Sequence, residues 1–200
     1  MVALGILLLL GAAAPQMVNA DRRTPSPAVP AGAPAPLVTV ARQAGKLTGV
    51  EATVLLAISQ VECDFGRCRA GQPDTLVPPD VRSHVDGAAL RPDGETARLL
   101  GIADGRRIGD WVNPMAVAGG QHAMGFMQFL PSTWRQEARL APGRPTDPYK
   151  PYDAMVAAGS YLARLQHGEV DGRRRSLRGA LAVYGGAAEY ADRVLAVAGA

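Results

Sequence analysis

Aromatic side chains are scarce: Phe, Tyr and Trp together supply 5% of the 200 residues, while apolar residues of all kinds supply 48%. Alanine and leucine therefore carry most of the apolar mass, which favours helix over sheet. Charge of one sign is hardly in excess, because 21 Lys and Arg face 18 Asp and Glu and leave a formal +3. That mild basicity suits a polyanionic surface and falls short of a nucleic-acid footprint. No basic run is interleaved with aromatics, and Arg173-Arg174-Arg175 reads as a solvated loop. Period-two alternation long enough for a confident strand is missing, and so is any internal repeat. A chain of this length holds one ordinary domain with appendages.

Cysteine is limited to Cys63 and Cys68. Two thiols are too few for a structural zinc centre, and His84, His122 and His167 all lie elsewhere in the sequence. A thiol nucleophile would need a paired His that the sequence does not place. In an exported protein a structural disulfide closing a short loop is the favoured reading. No metal site and no cofactor is called for.

One long hydrophobic run exists, Val2 to Ala14, followed by Pro15 and the small-residue ending Val18-Asn19-Ala20. It is shorter than the ~20 residues that span a bilayer. Residues 1–20 are thus expected to be a secretory signal cleaved after Ala20, although no Lys or Arg precedes the run. The alternative is an uncleaved single anchor. Residues 21–36, DRRTPSPAVPAGAPAP, lack a periodic apolar pattern and read as an extended linker. The domain is expected over 37–200.

Within that domain the sequence predicts helices joined by polar and Gly/Pro-rich connections. A first helix covers Leu37 to Ala44 and stops near Gly45. A second begins at a capping box formed by Thr48 and Glu51 and carries the stripe Val54, Leu55, Ile58, Val61. Residues 65–120 are irregular, with one short helix near Glu95 to Leu100; so long a connection is usually functional. Pro131 opens a helix over Ser132 to Leu140. Asp153 caps one from Ala154 to Gln166, and Ser176 caps another with the face Leu177, Leu181, Tyr184. A last helix runs from Ala188 to Val197.

Glu62 is the odd residue. It falls four after Ile58 and seven after Leu55, on the apolar face of the second helix. Desolvation there would raise its pKa, the condition for a general acid near neutral pH. By periodicity alone, a Glu at the rim of the stripe reaching for solvent is an equally good reading. The segment Ala123-Met124-Gly125-Phe126-Met127-Gln128-Phe129-Leu130-Pro131-Ser132-Thr133-Trp134 decides between them. It resembles the Ala-x-Gly-x-Met-Gln-Phe-x-Pro-x-Thr-Trp signature of the lytic transglycosylase family, within the lysozyme-like superfamily. Ile58-Ser59-Gln60-Val61-Glu62 with Phe65-Gly66-Arg67 is similar to the family helix that ends in its catalytic Glu. Pro148 to Ala154, Ala157 to Leu162, and Ala180 to Val194 resemble the later family blocks in the same order, over about residues 37–200.

The resemblance implies a mainly α, lysozyme-like domain, with room for a small two-stranded or irregular wing in the long loop. It implies a peptidoglycan lytic transglycosylase with Glu62 as its catalytic acid and then base. Ala123, Met124, Gly125, Phe126, Met127, Gln128 and Tyr184 would contact the substrate. Gly125 would let backbone approach the ligand, Gln128 would read an N-acetylated sugar, and the Tyr184 hydroxyl would hold the carboxyl of Glu62. By residue type alone, plain packing is the favoured reading of Met127, Phe129 and Trp134. Two positions depart from the family pattern: Gly185 replaces the Asn that usually follows the Tyr, and Gly119 replaces a common Ser. His122 is a candidate substitute for that Ser. The implied partner is the peptidoglycan glycan strand, met by a secreted, cell-wall-associated monomer without nucleic acid and without stable membrane insertion after signal cleavage. A hydrolytic muramidase on the same fold would need a second carboxylate, from Asp64, Asp93, Asp104 or Asp110. An inactive glycan-binding module is the alternative from another class.

Overall fold

The structure, a computed structural model, describes residues 28–66, 112–116 and 120–200. The expected signal, residues 21–27 of the expected linker and the short helix near Glu95 lie outside the described residues. What is described is mainly helical and fits a lysozyme-like domain. The helices are α1 (Ala35–Thr48), α2 (Ala52–Cys63), α3 (Pro131–Leu140), α4 (Pro151–His167), α5 (Leu177–Tyr184) and α6 (Ala188–Ala198). Strands β1 (Val112–Ala116) and β2 (His122–Met124) form an antiparallel ribbon with a register irregularity. This ribbon is the two-stranded wing that the sequence allowed.

Helix α2 lies at the centre, against α1, α4 and α6. Seven consecutive residues, Thr53 to Ser59, are buried on it, and Val54 to Ile58 between them are all apolar, so its middle is apolar all round rather than striped. A helix wrapped on every side is the expected state of such a run. Its C-terminal end is where the wrapping opens. Leu37, Val40, Ala41 and Ala44 of α1 and Met155, Val156, Leu162 and Leu165 of α4 supply facing core. Val194 and Ala198 of α6 complete it.

Several local expectations are corrected. Helix α1 does not stop at Gly45 but runs to Thr48, where the Gly49 amide donates to the Gly45 carbonyl (2.8 Å). Thr48 and Glu51 form no capping box: Thr48 ends α1 and its hydroxyl donates to the Ala44 carbonyl (2.9 Å). Glu51 is itself the residue before α2 and caps with no side chain. The three-residue connection leaves Thr48 in α1, so its hydroxyl bonds backward. Asp153 does not cap α4 either, because Pro151 already starts the helix. Its carboxylate accepts from the Thr146 (2.9 Å) and Asp147 (3.0 Å) amides and fastens the preceding loop. Ser176 caps α5 as expected, accepting from the Gly179 amide (3.2 Å). Among the described residues no helix is long and apolar enough to cross a membrane.

Candidate active site

The end of α2 sets the position of Glu62. Immediately after it, Cys63 is buried and disulfide-bonded; Cys68, the expected other half, lies outside the described residues. Asp64 then turns left-handed (φ 42°), with its amide donating to the Gln60 and Ser59 carbonyls. Phe65 follows at φ 55° and is fully buried. Two successive non-glycine residues with positive φ are costly, and such strain persists only where packing over-determines it. Here the buried Phe65 ring and the disulfide fix the reversal, so the helix stops with Glu62 on its last turn.

Glu62 is half-buried and opens into a cleft of about 360 Å³. Gln128, Phe129, Thr133, Tyr161, Tyr184 and Gly185 line that cleft with it. Glu62 is the single carboxylate among the described lining residues. Burial raises its pKa from 4.5 to about 7, against smaller lowering effects from the Tyr190 hydroxyl and the Arg193 charge. A carboxyl with that pKa is protonated in useful amounts at neutral pH and can still give its proton up.

Glu62, Gln128 and Tyr184, singled out from the sequence, thus meet in one cleft, although they come from α2, the turn after β2 and the end of α5. The other signature residues are placed differently. Met124, Phe126 and Met127 are buried in the core and do not line the cleft. Ala123 sits half-buried in β2 and does not line it either. Gly125 (φ 75°) makes its close approach to protein rather than ligand, since an added Cβ would stand 2.2 Å from the Pro148 carbonyl oxygen. The next amide, that of Phe126, donates to this same oxygen (3.1 Å).

Gln128 closes the resulting turn. Its backbone is left-handed (φ 53°), and its Nε2 donates to the Gly125 carbonyl (2.9 Å). The signature is therefore largely a folding unit that presents Gln128 at its tip. His122 lies in β2 and does not line the cleft. Gly119, Asp93, Asp104 and Asp110 lie outside the described residues, and Asp64 is exposed at the α2 cap.

Tyr184 requires a correction. Its hydroxyl does not hold Glu62; it donates to the Met127 carbonyl (2.8 Å), tying α5 to the signature turn. The hydroxyl turned to the carboxyl belongs to Tyr190, on the first turn of α6. That hydroxyl is buried without a hydrogen-bond partner among the described residues, and its proximity lowers the Glu62 pKa. The Tyr190 ring stacks on Tyr184 with centroids 6.2 Å apart. Tyr161 and Phe129 touch the Tyr184 ring at 6.0 and 5.8 Å. Sequence reasoning missed both Tyr190 and Tyr161. A usable signal existed for Tyr190, which falls four before Val194 and eight before Ala198 on the inward face of α6.

No curated protein and no solved structure matches the chain. A family model does match over residues 111–194, a stretch that contains Gln128, Tyr184 and Tyr190 and ends short of α2 and Glu62 on the N-terminal side. That model is the transglycosylase SLT domain, and the match agrees with the lytic transglycosylase resemblance carried by the motifs.

Proposed function

We propose that the protein is a peptidoglycan lytic transglycosylase in which Glu62 acts first as acid and then as base. The observation that carries this reading is the meeting of a lone protonatable carboxyl, Glu62, with Gln128 and Tyr184 in one cleft. The SLT match supports transglycosylase action on peptidoglycan.

Glu62 would donate its proton to the glycosidic oxygen between N-acetylmuramic acid and N-acetylglucosamine. As the C1–O bond breaks, the acetamido oxygen of the muramic acid supports the developing positive charge at C1. The ionised Glu62 then takes the proton from the 6-hydroxyl of the same sugar, and that oxygen bonds to C1. The chain is left with a 1,6-anhydro end, Glu62 regains its proton, and no water is consumed. A pKa of about 7 serves both halves of this cycle. A two-carboxylate hydrolase would need its partner some 5 to 9.5 Å away, depending on stereochemistry; the described lining offers one carboxylate. The enzyme would act as a secreted, cell-wall-associated monomer on glycan strands, with Gln128 and Tyr161 presenting polar groups to the sugar.

The test is Glu62→Gln, which keeps the shape and removes the acid. Cleavage of purified peptidoglycan is expected to fall by about a hundredfold or more. Undiminished cleavage by that variant would defeat the assignment.

A further inference from the structure

Gly185 is where the family pattern has a larger residue, and its surroundings explain why this chain does not. Its φ of −93° and ψ of 2° are open to any residue. Space is what forbids a side chain: an added Cβ would lie 2.1 Å from Cγ and 2.2 Å from Cδ1 of Tyr190. These ring atoms sit next to the backbone of α6 and cannot swing aside as a flexible chain end would. The Tyr190 ring thus occupies the volume that a side chain at 185 would need. In that volume it stacks on Tyr184, at an interplanar angle of 23°, and the Arg193 guanidinium lies 5.9 Å from the Tyr190 ring centroid. Its buried hydroxyl makes no hydrogen bond among the described residues and bears on the Glu62 carboxyl, while the Tyr184 hydroxyl is committed to Met127.

We infer that Gly185 and Tyr190 are a coupled positioning pair for Glu62: the bare backbone at 185 seats the Tyr190 ring so that its hydroxyl meets the carboxyl. The inference deepens the proposed function and rests on it only for its effect on turnover. Hydrogen bonds at catalytic groups are commonly loose without substrate and tighten in the complex, so the present geometry is the resting state of this contact. A hydroxyl donor favours the ionised carboxylate, which is the form that must accept the 6-hydroxyl proton. The charged and titratable groups that bear on Glu62 are Tyr190 and Arg193 of α6 and Tyr184 of α5.

The experiment follows the Glu62 carboxyl by carbon-13 NMR titration in the full chain, alongside the pH profile of kcat. Tyr190→Phe keeps the ring and its packing and removes the donor. It is expected to raise the Glu62 midpoint by about half a unit to one unit and to lower kcat about tenfold, with KM little changed. Gly185→Ala, by displacing the ring, is expected to raise the midpoint to a similar extent, and the double variant no further. Gly185→Ala leaving the midpoint at its wild-type value would overturn the coupling. Should that variant fail to fold, an unchanged midpoint in Tyr190→Phe would overturn it as well. A wild type that cut no glycan while both shifts persisted would sink the proposed function and uphold the pair.

Discussion

Holding a carboxyl among tyrosine rings costs stability, and the cost has a defined pH dependence. The Glu62 pKa is raised from 4.5 to about 7 by burial, so the folded chain binds this proton more tightly than the unfolded one. The resulting contribution is fully present below pH 4.5 and is lost as pH rises through about 7. Glu62→Gln removes the titration. That variant is expected to exceed the wild type in urea-unfolding stability by about 2 kcal/mol at pH 8, the shift being discounted for partial exposure, and to gain much less at pH 4. A variant that is inactive and more stable is the usual mark of a strained active site. Glu62, Gln128 and Tyr184 were legible in the sequence because spacing and motif singled them out. The partner of Glu62 was not, because Tyr184 and Tyr190 stand on different helices and only tertiary packing decides which hydroxyl faces the carboxyl.

The helices that carry these residues are fastened by a few polar contacts. Arg164 of α4 pairs with Glu137 of α3, whose side chain is almost fully buried. Arg164→Ala would strand that carboxylate in the core. A loss of about 3 kcal/mol in unfolding free energy is expected, with Glu137→Gln in the same background recovering part of it. Helix α5, only eight residues long, starts at the Ser176 cap and ends at Tyr184. Ser176→Ala is expected to cost about 1 kcal/mol in denaturant unfolding. Caps were read well where one polar residue met one helix start, as at Ser176. They were misread at Thr48 and Asp153, where a short connection or a proline moved the start and gave the side chain another use. The signature segment shows a related limit. Its residue types fitted a sugar-binding wall, yet Met124, Phe126 and Met127 are packed inside and Gly125 lies against Pro148. Periodicity cannot tell apolar residues that face a ligand from apolar residues that build the turn holding one.

Across the whole molecule, the cleft unites two distant parts of the chain. The buried helix α2 delivers Glu62, and the segment matched by the SLT model delivers Gln128, Tyr161 and Tyr184, with Tyr190 stacked on Tyr184. The mainly helical architecture followed from an Ala- and Leu-rich composition with helical spacing, and the order of the motif blocks gave the lysozyme-like arrangement. That α2 would be apolar on all sides was less legible, because a stripe and a fully wrapped helix share the same spaced residues. The most direct measurement on the whole protein is mass spectrometry of purified peptidoglycan digested by the wild-type enzyme. Muropeptides ending in 1,6-anhydro-N-acetylmuramic acid, lighter by one water than hydrolysis products, are the expected result. Products carrying a reducing N-acetylmuramic acid end, with no anhydro form, would contradict the one-carboxyl mechanism at Glu62.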